Sequence, residues 1–118
     1  MWNVEITDEF ETWWHGLSRG VQDAIESAVA ALEEDGPDLG RPTVDTLKGS
    51  KHRNMKELRV QQAGKPWRVF FAFDPRRSAI ILIGGCKAGD KRFYDKMIPI
   101  ADRLFDIHLE ELRKEGLL

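Results

Sequence analysis

Three strand-like runs, residues 55–62, 66–73 and 79–85, follow one another with only short turns between them, and this constrains the fold more than any other feature. Gln62-Ala63-Gly64-Lys65 makes the first turn and Asp74-Pro75-Arg76-Arg77 the second. Neither is long enough for a crossover, so the three strands form an antiparallel meander. The last, Ala79-Ile80-Ile81-Leu82-Ile83, is apolar on both faces and is expected to be central.

The flanks supply a fourth strand and the helices. Residues 2–6 alternate apolar and polar, a short strand. Thr7 then has the chemistry of an N-cap, with Asp8 and Glu9 where the helix dipole favours negative charge. The short helix after it buries Phe10, Trp13 or Trp14, and Leu17. Ser18 caps a second helix, in which Val21, Ile25, Ala28, Val29 and Leu32 recur at helical spacing until Gly36-Pro37 stops it. Residues 37–54 read as a basic loop. From about Asp90 a last helix carries Phe93, Met97, Ile100, Leu104 and Ile107 on one stripe, and Pro99 inside it is expected to kink or split it. The order βααβββα predicts one α+β domain over residues 1–118, a mainly antiparallel sheet packed against an N-terminal helical hairpin and a C-terminal helix.

Charge is sorted along this order. Residues 1–40 hold one Arg against ten Asp and Glu, whereas residues 41–96 hold fourteen Lys and Arg against five acids. The net charge of −2 therefore hides a basic middle that coincides with the strands, which points to a fixed polyanion-binding surface. No apolar run approaches the roughly 20 residues of a membrane helix, and Met-Trp-Asn-Val-Glu-Ile lacks the features of a secretory signal. Cys86 is the lone cysteine, so no internal disulfide is expected and a reducing cytoplasm is the natural setting.

Strand alternation then sorts the candidate site. Leu58 and Val60 fall on one face of their strand, to pack on the helices, while Glu57 and Arg59 face outward. Arg68 shares a face with Phe70 and Ala72, opposite Trp67, Val69, Phe71 and Phe73. The third strand delivers Lys87, and the turn and first helical turn after it deliver Lys91, Arg92 and Tyr94. Five cations and a phenol at one sheet edge would bind a phosphodiester and stabilise charge on a pentacovalent phosphorus. Each also has a plainer reading: Arg59 and Arg68 as solvent-facing ions, Glu57 and Arg59 as a surface pair worth little, Tyr94 as a packed ring, Lys87 and Lys91 as turn solubilisers.

Other chemistries fare worse. Gly84 and Gly89 have Walker spacing, but Asp90 stands where the lysine belongs. His15, His52 and His108 lie in separate elements without metal-ligand spacing; His52, in the basic loop, is the one placed to shuttle a proton. No nucleophile elbow surrounds Ser18, Ser50 or Ser78.

Taken in order, Lys56-Glu57-Leu58-Arg59-Val60, Trp67-Arg68-Val69-Phe70-Phe71, and the apolar strand running into Gly85-Cys86-Lys87 with Lys91-Arg92-Phe93-Tyr94 resemble the RelE/HigB toxins of bacterial type II toxin–antitoxin pairs, nearest the phage Gp49-like HigB branch. The resemblance spans nearly the whole chain and rests on the order of short motifs. It implies an endoribonuclease, without metal or other cofactor, that cuts mRNA on the ribosome by attack of the 2′-hydroxyl on the adjacent phosphate. Arg68 would stabilise the phosphorane, with Lys87, Lys91 and Arg92 as the basic turn. Tyr94 would stack on a base or assist proton transfer, and Glu57 would be the base. Lys48, Lys51, His52, Arg53 and Lys56 would hold the RNA backbone, although the family's paired lysines are matched only in part, by Lys56 and the loop lysines. The resemblance further implies a cognate antitoxin, a helix-turn-helix HigA-like protein through which alone operator DNA would be bound. ParE-type gyrase inhibitors share the fold but tend to lose the sheet-end cations and Tyr that this chain keeps. An inactive RNA- or antitoxin-binding module is the third reading.

Overall fold

In a computed structural model that describes all 118 residues, the meander becomes the middle of a five-stranded sheet. The elements are β1 (Val4–Ile6), α1 (Asp8–His15), α2 (Arg19–Asp35), a 3-10 turn at Gly36–Asp38, β2 (Val44–Thr46), β3 (Lys56–Gln62), β4 (Lys65–Phe73), β5 (Ala79–Cys86) and α3 (Phe93–Lys114). The sheet order is β1-β5-β4-β3-β2. β1 runs parallel to β5, and the remaining pairs are antiparallel. The architecture is thus α+β, as the element order implies. β5 is internal with partners on both sides, but the middle position belongs to β4.

Local chemistry explains the boundaries. The Thr7 hydroxyl accepts from the Phe10 amide and the Ser18 hydroxyl from the Val21 amide, so both expected caps operate. Gly36, at φ +56, closes α2, and a Cβ there would lie 2.4 Å from the Trp2 ring. The β3–β4 turn is two residues, Ala63 and Gly64, both at positive φ, which matches the twist of the flanking strands.

The sheet separates two apolar layers. On one face α1 and α2 bring Phe10, Val21, Ile25 and Leu32 against Leu58, Val60, Val69, Phe71 and Ile81. On the other, α3 brings Phe93, Ile98, Ala101, Leu104 and Phe105 against Met55, Phe70, Ala72, Ile80 and Leu82. β5 feeds both layers, which is why its sequence is apolar throughout.

Three expectations are corrected. The segment 37–54 is not all loop, because β2 pairs with β3 through Val44–Leu58, Asp45–Glu57 and Thr46–Lys56. α3 begins at Phe93, leaving Lys91 and Arg92 in the turn before it, and runs unsplit through Pro99. Glu57 does not face outward: α3 covers that part of the sheet face, and Glu57 and Arg68 are each only 6% exposed.

Candidate active site at the end of the sheet

The site is assembled where the first turn of α3 crosses β3, β4 and β5. Alternation puts Glu57 of β3 and Arg68 of β4 on the same face, and Gly85 of β5 lies beside Arg68 in register. Gly85 is required there because a Cβ would approach the Phe93 ring to 2.9 Å. With that ring seated, Phe70, Phe93 and Tyr94 pack mutually at centroid distances of 5.2 to 6.3 Å. This aromatic cluster fixes the N-terminal turn of α3, and with it the Tyr94 hydroxyl.

Tyr94 donates its O–H to Glu57 Oε1 at 2.7 Å. Arg68 Nε lies 3.5 Å from the same oxygen, and Arg68 Nη1 donates to the Trp67 carbonyl at 3.0 Å. Nε is buried and makes no hydrogen bond, so charge rather than a hydrogen bond ties it to Glu57 in a site withdrawn from water. Burial pushes the Tyr94 phenol above its ordinary pKa, the bond to Glu57 pushes it further, and Arg68 opposes both. The phenol therefore stays protonated at neutral pH. Lys87 is held by its backbone N–H on the Pro66 carbonyl at 2.9 Å, and its ammonium lies 5.3 Å from the Tyr94 ring centre. A buried carboxylate, a buried guanidinium, a phenol and an ammonium thus form one connected group.

Other expected residues surround it. Arg59 is the direct cross-strand partner of Arg68; it is exposed and has no ion pair. The two arginines line a cavity of about 340 Å³ together with Pro42, Thr43, Val60 and Gln61. Lys91 and Arg92 are exposed in the turn that Asp90 organises by accepting from the Arg92 amide and from Lys96, each at 3.0 Å. Arg92 also lies 3.8 Å from Asp95. The surface pair read as Glu57 with Arg59 is replaced by a buried pair of Glu57 with Arg68.

The basic loop is not brought to this centre as a unit. Lys51 forms an ion pair with Asp106, and His52 Nε2 lies 2.8 Å from the other oxygen of the same carboxylate. The Ser50 hydroxyl and the Lys51 amide bind Asp102. Asp106 is twelve residues along α3 from Tyr94, about 18 Å at the helical rise. Lys56 donates to the Thr46 hydroxyl at 3.2 Å, and Lys48 and Arg53 are exposed. Gln61 and Thr43 are the site neighbours that the sequence reading missed. Gln61 had a signal, standing two residues beyond Arg59 and so on the same strand face.

Comparison with known proteins gives the chain's family and fold. Residues 12–106 match the family model described as phage derived protein Gp49-like. Two Mycobacterium tuberculosis proteins named as toxins are similar along most of the chain. HigB2 is 44% identical over 112 residues, covering 93% of this chain, and HigB3 is 48% identical over 101 residues, covering 85%. The chain spans 55% of the length of HigB2 and 87% of that of HigB3. Among solved structures, the isolated Escherichia coli RelE toxin matches with a TM-score of 0.58 at 10% identity, covering 85% of this chain and 99% of RelE. A doubly substituted RelE in the free state matches with a TM-score of 0.56 at 9% identity, covering 81% and 94%. At such identities RelE speaks for the fold alone, whereas the family model and the HigB relatives carry the assignment. The chain belongs to the Gp49-like family, is similar along most of its length to HigB2 and HigB3, and has a RelE-like fold.

Proposed function

We propose that the chain is an mRNA endoribonuclease that cleaves by attack of the 2′-hydroxyl on the adjacent phosphodiester, on the ribosome, and is held in check by a helix-turn-helix antitoxin of the HigA type. The observation that carries this reading is the sharing of Glu57 by Arg68 and Tyr94 in a site withdrawn from water. Glu57 is the group suited to take the 2′-proton, being the carboxylate hydrogen-bonded at the centre of the cluster. As the oxygen attacks, charge grows on the phosphorane. Arg68 is the rigid cation beside it, with little water to dilute its field. Tyr94, neutral at physiological pH, orients the carboxylate and has a proton to give. Lys87, and the exposed Lys91 and Arg92, stabilise charge toward the leaving 5′-oxygen and the RNA backbone. The products are a 2′,3′-cyclic phosphate and a 5′-hydroxyl, chemistry that calls for no metal or other cofactor.

The test is mapping of mRNA 5′ ends after brief expression, with Arg68→Lys and Glu57→Gln beside the unsubstituted chain. Arg68→Lys is chosen over alanine because it keeps a cation opposite Glu57, where an unpaired buried charge costs about 3–5 kcal/mol, and Glu57→Gln because it keeps the side-chain volume and an acceptor for Tyr94 while removing the basic carboxylate. Arg68→Lys keeps the charge and loses the planar fork, and is expected to lower cleavage about 100-fold or more with the far-ultraviolet spectrum unchanged. New ends should lie within translated codons and carry 5′-hydroxyls. Growth arrest with intact mRNA and DNA damage would instead favour inhibition of gyrase, and neither arrest nor cleavage would favour an inactive binding module.

A further inference from the structure

The cavity beside the buried pair has a composition that phosphate binding alone does not explain. Along β3 the side chains of Glu57, Arg59 and Gln61 fall on one face, but α3 covers only the first, and Arg59 and Gln61 stand exposed past its end. The opposite wall is Pro42-Thr43, tied to the strand by the Arg59 amide donating to the Thr43 carbonyl at 2.7 Å. Arg59, Gln61 and Thr43 make no side-chain hydrogen bond or close ion pair within the protein, Arg59 acting on Asp45 only at a distance, and no carboxylate lines the cavity. At about 340 Å³ its volume sits at the lower end of the roughly 300–1,000 Å³ of small-ligand sites, which suits one nucleotide.

We propose that this cavity seats the nucleotide next to the scissile phosphate, with Arg59 and Arg68 on its phosphate and Gln61 reading its base. The inference rests on the ribonuclease reading and adds the subsite that sets sequence preference. A carboxamide presents a donor beside an acceptor, so it can pair with a base edge that offers the complementary two. An exposed lysine or arginine in its place would attract any nucleotide alike. The Thr43 hydroxyl, able to donate and accept, lies on the far wall where a base edge or a ribose hydroxyl would meet it.

The experiment is a titration, followed by amide chemical shifts, of the full chain with each of the four ribonucleoside 3′-monophosphates and with inorganic phosphate. The two variants compared with the unsubstituted chain, Gln61→Ala and Arg59→Ala, each alter one exposed side chain. In the unsubstituted chain at least one nucleotide should bind about fivefold or more tighter than the weakest, and tighter than phosphate. Gln61→Ala should bring the four to within about twofold while leaving the phosphate affinity alone, and Arg59→Ala should weaken all five ligands together. Nucleotides binding no tighter than phosphate, or a rank order that survives Gln61→Ala, would overturn the proposal. Its fate separates from that of the nuclease: intact mRNA with nucleotide discrimination preserved sinks the nuclease reading, and cleavage without discrimination sinks the subsite.

Discussion

Burying Glu57 and Arg68 together costs desolvation that a well-packed apolar pair would not incur, so stability alone does not account for them. What they secure is geometry, since the phenol, the carboxylate and the guanidinium hold one another in a fixed arrangement. A second buried carboxylate, Asp74 in the β4–β5 turn, shows the purely structural alternative. Its side chain is fully buried, and it accepts from His108 at 2.9 Å, from Arg76 at 2.7 Å and from the amides of Arg76 and Ser78. Burial works to raise its pKa, but the bonds from His108, Arg76 and Ser78 outweigh it and hold the carboxyl below 3.8. A depressed folded-state pKa means stability that is complete above the unfolded value and is lost as pH falls through the folded one. Asp74→Asn is therefore expected to cost on the order of 3 kcal/mol in urea unfolding at neutral pH. The gap from the unsubstituted chain should close as the pH falls below about 3.8. A gap that stays constant down to about pH 2 would mean the carboxylate's charge contributes nothing.

At the level of elements, strand faces, caps and the β3–β4 turn were legible because each is set by neighbours in sequence. What was not legible depends on distant pairing. Val44-Asp45-Thr46 is too short and too polar to announce a strand, and it becomes β2 only because β3 offers a free edge. Alternation put Glu57 and Arg68 on one face, but nothing local told that α3 would roof that face. Gly84 is similar: its spacing served only to exclude a phosphate loop, whereas in the fold a Cβ there would come within 2.3 Å of the Trp13 ring. Pro99, expected to kink or split the helix, does not split it. It is exposed, so water can take up the carbonyl it leaves unpaired, while Phe93, Ile98, Ala101, Leu104 and Phe105 bury the other side of α3 and hold both halves on the sheet. Tertiary packing thus overrides a penalty of about 3 kcal/mol for an interior proline. Replacing Pro99 by Ala should return part of it, raising stability by about 1–3 kcal/mol without changing cleavage, as read from urea midpoints at unchanged m-value. No gain would mean that the helix is already broken there in solution.

Across the molecule, the sorted charge becomes a division of labour. The acidic N-terminal third supplies α1 and α2 on one face of the sheet, whereas the cations of the middle are spread over the sheet end, the loop beside α3 and the β4–β5 turn, where Arg76 pairs with Asp74 and Glu5. The sequence assigns the loop cations to the RNA backbone and the sheet-end cations to the chemistry, and the structure adds which of them are already paired within the protein. Lys51 is engaged by Asp106, and the Asp106 carboxyl is held below its ordinary pKa, chiefly by Lys51 with His52 assisting against burial. Lys91 is exposed and has no ion pair. Each cation that neutralises a phosphate of a single strand adds about 0.7 to the steepness with which log affinity falls against log salt. For binding to a short single-stranded RNA between about 50 and 200 mM salt, Lys91→Ala is expected to lower that slope by about 0.7 and to weaken affinity most at low salt. Lys51→Ala should leave the slope unchanged, because its charge is already matched within the protein. Equal slope changes for the two variants would show that the Asp106 pair opens to let Lys51 reach the RNA, and would return the loop to the binding surface.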